Sequence, residues 1–273
     1  MSPLNHSYLD TSSGDWAGCL LSSYGFLRHS WQTKWIGLPQ VIKYCAEYLK
    51  LDTNGEQDHV NTLLNAAMAI ANKIEIEKGC GADTPEPRYH NRLHFADSLT
   101  TISLQCGLEV QNGARHDHAW QAALLLIAVA HDFRHPGHVN RHVSDIESTS
   151  VNFLIPILES LNVSALWMER VSHAILRSDF SLVKDNHSRV RGSAFEWNND
   201  WAAVLLNEAD VMASASANFG PMLSSALSLE WEAINFPPYA TVATEPGRRQ
   251  FLSSIQFSSY SGRILSAGVL TPT

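Results

Sequence analysis

Two short segments of this 273-residue chain concentrate side chains able to hold a metal and move a proton: YHNRLHFAD, from Tyr89 to Asp97, and HDFRHPGHVN, from His131 to Asn140. Imidazole nitrogen with carboxylate oxygen suits zinc, iron or manganese, and a carboxylate can bridge to a harder ion such as magnesium. If the first segment is helical throughout, His90, His94 and Asp97 fall at i, i+4 and i+7 and share one face, within reach of a common centre. His131 and Asp132 follow the apolar run LLLIAVA, so a buried helix delivers an imidazole and a carboxylate together before Pro136-Gly137 reverses the chain. A third element, Ala209-Asp210-Val211, supplies another carboxylate. Two His and two Asp from three helices can hold one metal, with one Asp shared by a second. An HD pair alone says little in a chain with 13 His, and the other one, His116-Asp117, lies among polar residues and reads as a solvated helix start.

The elements that must position these residues are legible from apolar spacing. From His59 to Lys78, residues Val60, Leu63, Leu64, Ala67, Met68, Ile70, Ala71 and Ile74 recur with helical period, and Gly79 ends the segment. Pro85 and Pro87 precede a second helix over 91–106, and others are expected over 119–130, 146–161, 164–176, 200–217 and 221–234. Pro237-Pro238 opens a loop that reaches Gly247, after which 248–265 reads as one more helix. Strand-like alternation with hairpin turns is nearly absent, so the fold class is all-α, a compact multi-helix bundle. Residues 1–55 carry Trp16, Trp31, Trp35 and an apolar stretch over 41–51, ending in the turn Asp52-Thr53-Asn54-Gly55; they read as a helical cap or arm of the same domain as the catalytic part, 56–273. No repeat or low-complexity linker divides the chain.

Composition narrows the partners. A net charge of -8 and a pI near 5.9 argue against a nucleic-acid polymer, which needs Lys and Arg gathered on one face. Phosphate chemistry must then be confined to a small site. Cys19, Cys45, Cys80 and Cys106 form no CxxC pair and read as buried free thiols. The N-terminus lacks a basic segment followed by an apolar run, and no stretch approaches the roughly 20 apolar residues of a membrane span. The expectation is a cytoplasmic protein with no membrane partner.

YHNRLHFADS and HDFRHPGHVN resemble, in order and at similar separation, the signatures YHNxxHAxDV and HDxxHPGxxN of the class I 3′,5′-cyclic nucleotide phosphodiesterases, which belong to the HD-domain phosphohydrolases. The resemblance spans about residues 59–265. Ile175-Leu176-Arg177-Ser178-Asp179-Phe180 is similar to the family's ILATDM segment, and Ala209-Asp210-Val211 to its ADI or ADL motif. Two departures mark a divergent member. Asn207-Glu208 precedes Asp210 and Met212-Ala213-Ser214 follows it, where the family often has a His before and Asn-Pro after. Gln250, Phe251, Gln256 and Phe257 do not reproduce the glutamine three residues before a phenylalanine with which the family grips the base.

The resemblance implies hydrolysis of a phosphodiester, a 3′,5′-cyclic nucleotide such as cyclic AMP or cyclic GMP, to the 5′-monophosphate. It implies His94, His131, Asp132 and Asp210 around a tight Zn2+ (or Fe or Mn), with Asp132 bridging to a second, water-rich Mg2+ or Mn2+. A hydroxide between the metals would attack phosphorus, and His90 would protonate the leaving oxygen, imidazole having an unperturbed pKa near neutrality. Asn91, His135, Asn140 and Glu147 are candidates for orienting waters or ligands, Asp97 for a hydrogen bond to a neighbour that fixes the His helix, and Asp179 for the border of the pocket, with Gln250 and Phe257 at the base end. The partner is a small-molecule phosphoester, and the arm can serve a homodimer contact. Three alternatives stay open. One is a nucleotidase or other phosphohydrolase. Another is a di-iron oxygenase using His173 and His187, otherwise read as core and surface residues. The last is a non-catalytic nucleotide sensor.

Overall fold

A computed structural model of the chain describes residues 8–51, 58–78 and 85–270. Cys80, Gly79 and the turn at 52–55 lie outside the described residues. Among the described residues the elements are all helical: α1 (Trp16–Gln32), α2 (Leu38–Tyr48), α3 (Asp58–Glu77), α4 (Arg92–Gln111), α5 (His118–Ala130), α6 (Asp145–Ser160), α7 (Ala165–Leu176), a 3-10 turn (Phe180–Leu182), α8 (Val183–Arg189), α9 (Asn199–Ala215), α10 (Gly220–Ala233), α11 (Tyr239–Val242), α12 (Glu245–Ser254) and α13 (Tyr260–Val269). The all-α expectation holds.

Three helices form the centre. In α5, every residue from Trp120 to Ala130 is buried, as befits a helix that is apolar all round. It packs on α3, α4, α7 and α9. Asp117 caps it by accepting from Trp120 N at 3.0 Å, so the His116-Asp117 pair is a helix start, as expected. Helix α4 is buried over most of its length although it carries Ser98, Thr100, Thr101, Ser103, Gln105 and Glu109. Three of its hydroxyls bond back to carbonyls one turn earlier: Thr100 to Ala96 at 2.6 Å, Thr101 to Asp97 at 2.9 Å and Ser103 to Leu99 at 2.7 Å. That satisfies them without water and lets a polar sequence sit in the core. Helix α4 runs five residues past the expected end at 106.

The C-terminal part differs from expectation. Instead of one helix over 248–265, α12 stops at Ser254 and α13 starts at Tyr260. Ser259 caps α13, its Oγ accepting from Gly262 N at 2.7 Å, and two buried carboxylates hold the backbone around it. Glu208 on α9 accepts from the backbone N–H of Ser258 at 2.6 Å and Ser259 at 2.9 Å. Glu109 on α4 accepts from Ser261 N at 2.8 Å and its hydroxyl at 2.7 Å. The N–H groups of Ser259 and Ser261 are unpaired donors of a helix start, and Gly262 leaves the room that a Cβ would take from Glu208. Cys19, Cys45 and Cys106 are buried and free, as expected.

Candidate metal centre

Helices α4, α5 and α9 bring His94, His131, Asp132 and Asp210 together, with one ligand atom from each lying within 4.8 Å of the others. His94 Nε2 lies 3.0 Å from Asp210 Oδ1 and 3.4 Å from Asp132 Oδ2, and His131 Nε2 lies 3.3 Å from Asp132 Oδ2 and 3.7 Å from Asp210 Oδ1. The two Nε2 atoms are 3.3 Å apart. Ligands at about 2.0–2.2 Å from one ion must be separated by about 3.0–3.5 Å, so the donor set fits a single metal. The tautomer fits as well. His131 Nδ1 donates to the Ala128 carbonyl at 2.9 Å, which turns the Nε2 lone pair inward.

Electrostatics bind the four groups to one another. Burial disfavours the His94 imidazolium, but Asp132 and Asp210 outweigh it and raise its pKa to about 9. Burial likewise opposes charge on Asp132 and Asp210, yet His131 and His94 hold both carboxyls well below the usual range. Protons on the imidazoles thus compete with a cation for the same lone pairs, and cation binding must release them.

Local chemistry shapes the two segments that carry His94, His131 and Asp132. Asn91 caps α4, its Oδ1 accepting from Leu93 N at 2.9 Å and His94 N at 3.2 Å, which sets the first turn on which His94 stands. After α5 the chain reverses through Arg134, which takes the left-handed region at φ 62°, and Gly137 at φ 75°. Arg134 is held there by two hydrogen bonds of 2.7 Å to Glu77 of α3.

Because α4 begins at Arg92, His90 precedes the helix and the expected shared face of His90, His94 and Asp97 does not form. His90 sits in a bend, its Nδ1 donating to Glu230 Oε1 of α10 at 2.5 Å. Glu230 Oε2 accepts from Tyr89 N at 2.7 Å and His90 N at 3.1 Å. The other imidazole nitrogen, Nε2, lies 4.0 Å from Asp132 Oδ2, and the ring stacks on His135 with centroids 3.7 Å apart. Burial, with His90 beside it, pushes His135 down to about 3, so it stacks as a neutral ring. His135 Nδ1 accepts from Gly137 N at 3.0 Å. Asp97 turns away from the cluster and receives both terminal nitrogens of Arg28 from α1, at 2.9 and 2.8 Å.

Asn140, Glu147 and Asp179 form one network. Asn140 Nδ2 donates to Glu147 at 2.9 Å and Asp179 Oδ2 at 3.0 Å, while its Oδ1 accepts from Ile146 N at 2.8 Å. Asp179 also accepts from Ser144 N and caps the 3-10 turn. Gln250 is exposed on α12 and is not brought to the cluster; Gln256 is the glutamine that borders the cavity containing Asp210. Phe257 is half-buried and lines a separate groove. His173 is half-buried on α7 rather than in the core, and His187, expected at the surface, is buried on α8 beside Ser258.

Glu230 escaped the sequence reading. Its string, Leu229-Glu230-Trp231-Glu232, has the look of a solvated helix face, and its partner lies 140 residues upstream.

Burial, with Asp179 and Asp132 nearby, raises the Glu147 carboxyl to about 7. A raised folded-state pKa contributes stability that is fully present below the unfolded value, about 4.3, and is lost as pH climbs through the folded one. Thermal stability is therefore expected to decline between about pH 4.5 and 7 from this group, and Glu147→Gln to flatten that decline. Melting curves across the interval check it; an unchanged slope in the variant would exclude Glu147 as the source.

The architecture defined here is an all-α domain that gathers two imidazoles and two carboxylates at its centre. No protein-family model matches the chain, and no curated protein matches it. Among solved structures, the fold is similar to that described as "Structure of LmjPDEB1 in complex with IBMX", a Leishmania class I phosphodiesterase, with a TM-score of 0.56 and 16% sequence identity over 96% of this chain and 85% of that one. The likeness establishes the fold. Among the described residues, no helix is long and apolar enough to cross a membrane.

Proposed function

We propose that the chain is a metal-dependent phosphodiesterase that opens a 3′,5′-cyclic nucleotide to the 5′-monophosphate. The observation that carries this reading is an imidazole directed at the His/Asp cluster: His90 Nε2 approaches Asp132 to 4.0 Å while Glu230 holds its Nδ1. The likeness of fold to a phosphodiesterase supports it.

In this reading His94, His131, Asp132 and Asp210 hold a transition metal such as Zn2+, and Asp132 also serves a second ion such as Mg2+. Bound there, two cations supply charge neutralisation on the phosphoryl oxygens and a nucleophile at neutral pH. The chain's own groups do the rest. His90 donates an Nε2 proton to the leaving 3′-oxygen; Glu230 accepts the Nδ1–H, which orients the ring and balances the charge of the imidazolium that carries the second proton on Nε2. His135 backs the His90 ring. Asn140, Glu147 and Asp179 order waters at the open side of the cluster. Residues 1–55 act as an arm of the same domain.

A second reading, a nucleotidase on noncyclic esters, is favoured by one observation: Gln250 is exposed, away from the cavity beside Asp210. Metal analysis of the purified chain, with hydrolysis of cyclic AMP, cyclic GMP and a panel of phosphomonoesters, separates the two. Cyclic nucleotides are expected to be turned over fastest, and chelation to abolish it. Preference for monoesters would establish the nucleotidase; iron with oxygen consumption would establish an oxygenase.

A further inference from the structure

A groove of about 760 Å3 opens between the C-terminal end of α4, the connection from α8 to α9 and the start of α13. A volume in that range holds a small organic ligand. None of the metal-cluster residues lines it, and the smaller cavity containing Asp210 shares only His187 and Gln256 with it.

Two side chains lining the groove are buried and incompletely bonded. Glu109, fully buried, uses Oε1 for Ser261, while Oε2 has no hydrogen-bond partner. His187, 3% exposed, engages Ser258 Oγ through Nδ1 at 2.7 Å, while Nε2 has none. Buried polar atoms are almost always paired in native proteins, and two exceptions at one cavity ask for a bonding partner that enters it. Glu109 Oε2 accepts only, so that partner must carry an N–H or O–H. Either tautomer of His187 leaves one further hydrogen-bonding atom at Nε2.

The walls and rim narrow the ligand further. Phe195, Trp201, Phe257 and Tyr260 contribute aromatic faces, which suit a planar ring. Arg191 and Arg263 are exposed at the lining, a local positive pair on a chain of net charge -8. Gly113 and Gly192, at φ 102° and 77°, have nothing within 4 Å of a Cβ, which keeps the mouth open.

We propose that this groove is a second binding site, separate from the metal centre, for a purine nucleoside monophosphate. The exocyclic or ring N–H of the base donates to Glu109 Oε2, a ring nitrogen or carbonyl of the base pairs with His187 Nε2, the heterocycle lies among the aromatic side chains, and the phosphate meets Arg191 and Arg263. The site does not depend on what the metal centre does.

Titration calorimetry of the full chain with 5′-AMP and 5′-GMP, before and after exhaustive chelation, tests this. One saturable event per chain that persists after chelation with unchanged affinity is expected for at least one nucleotide. Glu109→Gln keeps the acceptor for Ser261 and is expected to weaken binding about tenfold or more by removing the free carboxylate oxygen. Arg191→Ala, an exposed change that leaves the core intact, is expected to weaken it about threefold. Adenosine and ribose 5-phosphate, each holding half of the recognition, are expected to bind about tenfold more weakly than the whole nucleotide. No saturable binding at millimolar nucleotide, or binding that disappears on chelation and is untouched by both substitutions, would overturn the proposal.

Discussion

His90→Ala is expected to retain its metal and to lose about 10²- to 10⁴-fold in kcat, the usual worth of a positioned general acid. His90 is absent from the set of four converging ligands, so its removal leaves that set intact. What it takes away is the group whose Nε2 faces Asp132 and whose Nδ1 is held by Glu230. KM should change little, because a proton delivered to a leaving oxygen matters in the transition state and not in substrate binding. Glu230→Gln is expected to act in the same direction and more weakly: the amide can still accept from Tyr89 or His90 N–H, but loses the charge that orients and stabilises the imidazolium. Metal analysis beside steady-state kinetics on the best cyclic nucleotide decides the matter. Undiminished turnover would remove His90 from the mechanism, and loss of metal would move it into the ligand set.

The division between what could and could not be read from the sequence follows the range of the interactions. Helices such as α3 and α5 announce themselves through apolar period, and the convergence of His94 with His131 and Asp132 follows from two contiguous motifs whose spacing is local. Glu230 has no such signature, because its role depends on α10 returning to the loop before α4. The same limit applies to the gap between α12 and α13. Ser259, the cap of α13, is a local signal there, while Glu109 and Glu208, which bind the backbone N–H groups of Ser258, Ser259 and Ser261, come from helices far upstream. The shared face of His90, His94 and Asp97 fails for a different reason. Counting i, i+4, i+7 assumed that the helix includes His90, whereas Asn91 is its cap and Arg28 claims Asp97 for the core. His187, read as a surface residue, is buried beside Ser258 of the segment between α12 and α13.

Arg28→Ala is expected to cost about 3–5 kcal/mol, because it leaves Asp97 as an uncompensated buried carboxylate. The pair is bidentate, with side chains 9% and 2% exposed, and the guanidinium also donates to the Tyr24 carbonyl at 3.1 Å and lies 4.3 Å from the Phe219 ring centroid. For a chain of this size the melting temperature should fall by roughly 10 °C, read by calorimetry. Arg28→Lys should recover only part of it, since an ammonium cannot match both carboxylate oxygens. Replacing both partners, as in Arg28→Met with Asp97→Leu, should restore more than either single change, because the penalty lies in the stranded charge. The consequence reaches the metal centre by two routes. Asp97 stands one turn after His94 on α4, and Phe219 is the cap of α10, the helix that bears Glu230. Arg28 thus ties α1 to the helices carrying a metal ligand and the partner of His90, and Arg28→Ala at a temperature where it stays folded should weaken metal retention as well as turnover. A variant that melts like the parent would show that α1 can be detached from α4 without cost.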